Sequence, residues 1–252
     1  MSGHSKWSTI KRKKGAADAK RGQLFTKIGR EIIIAVREGG PDPAANFKLR
    51  LIMDKARQAN MPKENVERAI RRGAGLEKGE ALEQVIYEGY GPGGTAFIIR
   101  ALTDNRNRTV ADVRRALTRA GGNLGENGCV AWMFEQKGYI SIPLNGHDPD
   151  KLFELALEAG AEDIVIGEDQ IEVYSKVADF QHVQEALTKS NIEMEVAEIS
   201  MIPTTTVDLP LDQGLKVMAL VDALDELDDV EKVFTNLNIT DELFEKYAEV
   251  AG

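Results

Sequence analysis

The change in apolar spacing at Lys78 constrains the fold of this 252-residue chain more than any other feature. Upstream of Lys78, apolar residues recur at helical spacing, as Phe25, Ile28 and Ile32 do. Downstream, apolar residues alternate in short runs that Gly and Pro separate, which is the pattern of half-buried strands. We therefore predict a helical segment followed by α+β domains.

Three helices are predicted between residues 23 and 78. The first ends at the Gly-Gly-Pro run at 39–41, which is a strong helix stop. Phe47 and Leu51 mark a second helix, and Pro62 stands near the start of a third that ends at Gly73. Short links between short helices favour a small bundle, with its lysines and arginines on the outside.

Strands and helices alternate from residue 79 onward. Val85–Gly91 and Thr95–Leu102 are predicted as strands around a tight Gly-Pro-Gly-Gly turn. A helix is expected at Thr109–Ala120 and a short strand at Cys129–Phe134. These elements form one β-β-α-β block.

The order β-α-β-β-α-β then runs from residue 139 to residue 201, which is the ferredoxin-like motif. A helix at 213–227 and a strand at 232–237 would complete the earlier block to a similar unit of one sheet and two helices. The predicted fold class is therefore α+β multidomain: an N-terminal three-helix domain followed by two ferredoxin-like α+β domains, the middle one discontinuous. The predicted divisions are a flexible basic arm at 1–22, a basic helical domain at 23–78, a middle α+β domain at 79–135 plus 206–252, and an inserted ferredoxin-like domain at 136–205.

Charge is distributed unevenly along the chain. Residues 1–78 contain 19 Lys and Arg against 8 Asp and Glu, a net +11, whereas residues 79–252 contain 13 against 33, a net −20. Such an asymmetry is typical of a nucleic-acid-binding module attached to an acidic body. Chance fluctuation of charge is the alternative, but the basic excess coincides with a separable segment.

The N-terminal arm combines cations with an aromatic ring. Trp7 stands among lysines and arginines that include the run Lys11–Lys14, and the arm has no apolar period in which to bury the ring. Backbone neutralisation together with base stacking requires this combination. A solvated linker is the alternative interpretation.

A second candidate is the Thr-Asp-Asn-Arg-Asn-Arg-Thr segment at 103–109. Asn107 or Thr109 is expected to cap the following helix, whose first N–H groups could receive a phosphate beside Arg106 and Arg108. The predicted nucleic-acid-binding residues are, in full, Lys6, Trp7, Lys11, Arg12, Lys13, Lys14, Lys20, Arg21, Lys27, Arg30, Arg57, Arg71, Arg72, Arg106 and Arg108.

Catalytic and cofactor sites are not predicted. Gly89, Gly91 and Gly94 fit a dinucleotide-binding spacing, but Pro92 lies inside it and a strand follows, so a hairpin turn is expected. Cys129 is the only cysteine and is expected to be a small core residue, which excludes an internal disulfide. We expect no enzyme activity, no cofactor, no metal and no small-molecule substrate.

No apolar run approaches the roughly 20 residues that span a bilayer, so no membrane partner is expected. The first ten residues lack the apolar core of a secretory signal and the Arg-rich pattern of a transit peptide. We therefore expect a cytoplasmic location.

Several long motifs resemble the YebC family. They include M-S-G-H-S-K-W at the start, F-T-K-I-G-R-E-I, N-M-P-K-E-N-V-E-R-A-I, Y-E-G-Y-G-P-G-G, T-D-N-R-N-R-T and G-G-N-L-G-E-N-G. The resemblance is ungapped over more than the first half of the chain, and the later acidic part fits more loosely. It implies a helical domain and two α+β domains, the middle one interrupted by the third.

The resemblance also implies two alternative functions, both without catalysis. Family members are labelled as DNA-binding transcriptional regulators, and some act as repressors. Other members are similar to translation factors, including a mitochondrial activator of cytochrome c oxidase subunit I synthesis and ribosome-associated forms that relieve stalling. The expected partner is therefore DNA, ribosomal or transfer RNA, or the ribosome, and the residues leave this choice open.

Overall fold

The computed structural model describes residues 18–78, 81–144, 147–167 and 170–251, with side chains from residue 21 to residue 250. The chain divides into two compact units. One is Met133–Thr206, and the other combines the described residues of Lys11–Trp132 with Val207–Gly252. Within the described ranges, every helix is too short or too polar to span a bilayer.

Three helices open the larger unit, as the apolar spacing predicted. Ile28, Ile32 and Ala35 of the first helix are buried, and they share a core with residues of the other two. This core also includes Leu102 of the adjoining sheet and Leu82, which precedes the first strand of that sheet, so the helices and the sheet pack as one body. The helices are α1 (Asp18–Gly39), α2 (Phe47–Gln58) and α3 (Lys63–Gly73).

Asn46 joins the end of α1 to the start of α2. Its side-chain oxygen accepts the Leu49 N–H at 3.0 Å, which caps α2. Its amide donates to the carbonyl groups of Ala35 and Gly40, both at 2.8 Å, and thereby occupies acceptors at the end of α1. The start of α1 differs from the prediction, because the helix begins at Asp18, inside the segment expected to be a flexible arm.

An antiparallel four-stranded sheet completes the larger unit, in the order β3-β1-β2-β8. Two helices pack on it, α4 and α7, and a further helix, α8, packs on α7. The predicted helix and strand after Pro203 are confirmed, whereas α8 was not predicted. The elements are β1 (Glu83–Tyr90), β2 (Ala96–Thr103), α4 (Arg106–Arg119), β3 (Asn123–Leu124), α7 (Leu211–Asp225), β8 (Val230–Thr235) and α8 (Asp241–Ala251).

The glycine-rich turn between β1 and β2 is a hairpin turn, as predicted. The strands pair from Glu83↔Thr103 to Tyr90↔Ala96, and Gly93 and Gly94 have φ angles of 67° and 75°. Glycine adopts this left-handed conformation without the strain of a side chain. The dinucleotide interpretation of this spacing is thereby excluded, since the turn leads into β2 rather than into an α-helix that could receive a pyrophosphate.

The strand predicted at Cys129–Phe134 is wrong over most of its length. The buried Glu88 carboxylate accepts the N–H groups of Gly128, Val130 and Ala131 at 2.7, 2.9 and 2.8 Å. Donors bound to a carboxylate cannot also form a sheet ladder, so this segment becomes a loop with one short 3-10 turn. The next strand begins only at Phe134.

The smaller unit has the predicted β-α-β-β-α-β order. Its four strands form an antiparallel sheet in the order β5-β6-β4-β7, which confirms the ferredoxin-like motif. Phe180, Val183 and Leu187 of the second helix are fully buried. The elements are β4 (Phe134–Pro143), α5 (Pro149–Glu158), β5 (Ala161–Ile166), β6 (Gln170–Ser175), α6 (Phe180–Lys189) and β7 (Val196–Pro203).

Candidate nucleic-acid interface

Much of the predicted arm lies outside the described residues. Lys6, Trp7 and the run Lys11–Lys14 belong to this part, so their role stays a prediction. Lys20 and Arg21 lie in the first turn of α1, and the Arg21 side chain is exposed. The environments of the predicted contact residues can therefore be compared only for the lysines and arginines that lie in the described helices.

Three arginines lie at the C-terminal end of α3. Arg71 Nε lies 2.6 Å from one oxygen of Glu77, and Arg72 Nε lies 4.0 Å from the other. Arg68 is exposed and forms no ion pair with any described residue. Two of the three guanidinium groups therefore share one carboxylate and the third has none, so two positive charges remain in excess among these groups.

The turn after α3 brings Glu77 back to these arginines. Gly75 has a φ angle of 74°, and the Leu76 N–H donates to the Arg71 carbonyl at 2.9 Å, which is how a glycine ends a helix. The hydrogen bond from Arg71 lowers the pKa of the Glu77 carboxyl, and the charges of Arg72 and Arg68 lower it further. Glu77 therefore stays ionised and competes with any bound anion for the cluster.

Lys27 and Arg30, both predicted contacts, are turned toward the loop after α7. Lys27 Nζ donates to the Asp225 carbonyl. Arg30 Nη1 donates to the Asp228 carbonyl at 2.8 Å and to Asp229 Oδ1 at 2.9 Å. Both side chains are more than four-fifths buried, so they attach α1 to this loop.

Arg108 is held by two carboxylates. Arg108 Nη2 lies 2.8 Å from Asp229 Oδ2 and 2.7 Å from Asp104 Oδ1. The Asp229 carboxylate, which is 7% exposed, also accepts hydroxyl hydrogen bonds from Thr103 and Thr109. Burial alone would raise the pKa of Asp229, but the hydrogen bonds from Arg108 and Thr109 and the nearby arginine charges lower it overall.

The residues predicted to cap α4 are wrong. Asn105 caps the helix, because its side-chain oxygen accepts the Arg108 N–H at 3.1 Å. Asn107 and Thr109 lie inside the first turn, since the helix begins at Arg106 rather than Thr109. Arg106 Nε lies 2.8 Å from Glu83, so both arginines of this segment have acidic partners.

Arg57 is in a third kind of environment, an exposed ion pair within one helix. Its guanidinium is 77% exposed on α2 and lies 2.9 Å from Asp54, three residues earlier. An exposed pair of this kind contributes at most about 1 kcal/mol to stability and opens readily. Arg57 is therefore accessible, although its charge is locally matched.

Comparison with known proteins identifies the family. Residues 5–76 match the model described as the TACO1/YebC protein N-terminal domain, and residues 82–237 match the model described as the TACO1/YebC second and third domain. The chain belongs to the TACO1/YebC family.

Relatives in this family match the whole length of the chain. A protein of Trichlorobacter lovleyi is 53% identical over 246 residues, which cover 98% of this chain and 99% of the relative. A protein of Persephonella marina is 50% identical over 248 residues, which cover 98% and 99%. Each is named "Probable transcriptional regulatory protein", so the family is one of regulatory proteins by name.

A solved structure has the same fold. The crystal structure of a conserved hypothetical protein from Aquifex aeolicus is 48% identical, with a TM-score of 0.80 over 88% of this chain and 91% of that chain. The fold class predicted from the sequence is thus confirmed for this TACO1/YebC chain.

Cys129 has the environment of a packing residue in this TACO1/YebC chain. Burial raises the pKa of its thiol, and the nearby Glu88 charge raises it further. A thiol is nucleophilic only as the thiolate, so this environment works against covalent catalysis.

Sequence reasoning overlooked three arginines on α4. Arg114, Arg115 and Arg119 are exposed on the helix that follows the capped turn. Arg115 lies 3.6 Å from Asp112, whereas Arg114 and Arg119 form no ion pair within the described ranges. Because residues 79–252 carry a net charge of −20, the sequence did not indicate this local basic surface.

Proposed function

We propose that this chain is a non-enzymatic, cytoplasmic, DNA-binding transcriptional regulator that contacts the phosphate backbone through its helical domain. The observation that supports the proposal is the cluster Arg68, Arg71 and Arg72, which has one carboxylate partner, Glu77. A guanidinium group is planar and matches the oxygens of a phosphate with two parallel hydrogen bonds. The names of the relatives supply the transcriptional context.

Backbone contacts rather than base contacts are expected to supply most of the affinity. The three arginines lie at the end of a helix that also exposes Lys63, Glu64 and Glu67, so no continuous face of base-reading side chains is formed. Phosphate contacts fix a protein on DNA without reading its sequence. The basic arm, with Lys11–Lys14, is proposed to add contacts to the same backbone.

The first test removes the cluster. The variant Arg68→Ala/Arg71→Ala/Arg72→Ala is expected to lower the log–log salt slope of duplex DNA binding by roughly 2 to 3, since each lost phosphate contact contributes about 0.9. Fluorescence anisotropy over a series of salt concentrations measures this slope. Thermal unfolding should change little, because all three side chains are exposed.

The matched control removes the same charge elsewhere. The variant Arg114→Ala/Arg115→Ala/Arg119→Ala leaves α3 intact and is expected to retain most of the salt slope. Equal losses in the two variants would mean that diffuse charge, rather than the α3 cluster, attracts DNA. Co-sedimentation with ribosomes at the same salt separates the translational alternative: retention on ribosomes without duplex binding would overturn the DNA proposal.

A further inference from the structure

A groove of about 510 Å³ lies between α1 and α3. From α1 it is lined by residues on one stripe, including Phe25, Gly29 and Arg30. From α3 it is lined by Asn65 and Arg68, together with residues one turn further on. Side chains three and four positions apart share a helix face, so two complementary stripes face each other across the groove.

The groove is open because the two helices are closely packed at one end only. A Cβ atom at Gly73 would lie 2.7 Å from the Val36 Cβ atom, so the backbones nearly touch there. A Cβ atom at Gly29 would lie 4.0 Å from Met61 Cε, and one at Gly22 would have no atom of a described residue within 4 Å. Space is therefore left beside α1 at Gly22 and Gly29, where glycine supplies no side chain to fill it.

The lining divides into an apolar part and a cationic part. Phe25, Ile33 and Met61 supply apolar surface, whereas Arg68 and Arg72 supply positive charge. An isolated anion would leave the apolar surface without a contact, and an apolar ligand would leave the arginines without an ionic partner. A planar base joined to a phosphate uses both.

Polar groups along the groove remain able to bond a ligand. The side chains of Asn65 and Arg68 make no hydrogen bond with any described residue. Arg30 is fixed through Nη1 by Asp228 and Asp229, while its Nε and Nη2 groups have no partner within the described ranges. An amide beside guanidinium groups can bond the edge of a base and an adjacent phosphate.

We propose that this groove binds one unpaired nucleotide, with its base between α1 and α3 and its phosphate on Arg68 and Arg72. The proposal rests on the nucleic-acid binding proposed above and specifies its ligand further. A base inside a duplex has both faces stacked, so the groove selects a single strand or a base turned out of a helix. Its volume lies within the range of pockets that enclose small ligands.

Filling the groove without changing charge is the direct test. Gly29→Leu places a side chain between the helices, whereas the control Gly29→Ala adds only a methyl group at ordinary contact distance from Met61. Both substitutions replace a mid-helix glycine and should favour α1. Gly29→Leu is expected to weaken binding of a labelled oligothymidylate strand by about tenfold or more, the loss of one stacked base, while duplex affinity stays within about twofold.

Several outcomes are distinguishable. Single-strand affinity unchanged in Gly29→Leu, but reduced in the Arg68, Arg71 and Arg72 variant, would overturn the groove and leave the proposed function standing. No loss of either affinity in the arginine variant would overturn the proposed function itself. Oligouridylate compared with oligodeoxyuridylate shows whether the groove prefers RNA, because these two strands differ only at the 2′-hydroxyl.

A second readout locates the ligand without relying on affinity. In protein labelled with ¹³C at the methionine methyl groups, the Met61 resonance should shift when the single strand is added, since Met61 lines the groove. The Met218 resonance should not shift, because that side chain is fully buried in α7. An unmoved Met61 signal at saturating strand would exclude the groove even if a Gly29 variant had lost stability.

Discussion

The arginines at the start of α4 and those at the end of α3 belong to one residue type but have different environments. Arg106 and Arg108 are paired with Glu83, Asp104 and Asp229, and Asp229 also binds Arg30, so three carboxylates match three guanidinium groups. The α3 cluster is not balanced in this way, because among the described residues Glu77 is the one carboxylate paired with its three arginines, and it reaches two of them. The first group stabilises the fold, and the second has charge to offer a ligand.

The difference arises from where the acidic partner comes from. Asp229 is 121 residues away from Arg108 in the chain and reaches it through the loop between α7 and β8. Glu77 follows Arg71 by six residues and reaches it through one local turn. Arginines in two basic-looking segments therefore have different roles, and the number of nearby lysines and arginines in the sequence does not reveal which role applies.

The largest expected effect comes from removing the buried carboxylate. Asp229→Ala leaves Arg108 and Arg30 without their shared partner and removes two threonine hydrogen bonds. We expect it to lower the free energy of unfolding by about 2–4 kcal/mol, measured by urea titration. Asp104→Ala removes a more exposed partner of Arg108 and should lower the free energy of unfolding much less.

Unfolding at low pH gives a second test of the role of Asp229. The pKa of Asp229 is lowered below its ordinary value of 3.8, so its contribution to stability is complete above that value and is lost as the pH falls below it. The unfolding free energy of Asp229→Ala should therefore decrease less steeply than that of the unmodified protein below about pH 4. Parallel acid profiles would show that Asp229 does not stabilise the fold through its charge.

The next largest expected effect is a difference between two single variants, one in each arginine group, in stability and in DNA binding. Arg108→Ala should destabilise the fold without changing the salt slope of DNA binding, because its charge is used internally by Asp229 and Asp104. Arg71→Ala should lower that slope by about 0.9 and leave stability within about 1 kcal/mol. If both variants changed the slope equally, the distinction between the two arginine groups would be wrong.

The smallest expected effect is a gain of binding. Glu77→Gln keeps the shape of the side chain but removes the charge that neutralises Arg71 and Arg72. Duplex affinity should rise by about threefold, because an exposed ion pair of this kind is weak and its loss leaves more positive charge for the duplex. Glu67→Gln, on the same helix and paired with Lys63, serves as the control and should have no effect. Reduced binding in Glu77→Gln would mean that Glu77 orders the cluster rather than competing for it.

The sequence alone determined the types of most elements. Ile28, Ile32 and Ala35 recur at helical spacing and are buried, because apolar periodicity is a local property that burial directly rewards. The four-stranded sheet of the smaller unit was predicted for the same reason. The hairpin at Gly91–Gly94 also followed, since glycine and proline restrict the backbone wherever they occur. The assignment of the domain boundaries at residues 78, 135 and 206, and of the arm as a nucleic-acid contact, stays a prediction.

Tertiary structure decided what the sequence left open, because an ion pair or a buried carboxylate depends on residues far apart in the chain. Glu88 changed the predicted strand at Cys129–Phe134 into a loop by accepting its N–H groups from across the fold. Asp229 likewise took Arg108 out of the set of available cations, and it fixed Arg30 through Nη1. The groove at Gly29 is the clearest case, since a glycine within a helix reveals empty space only once the facing helix is in place.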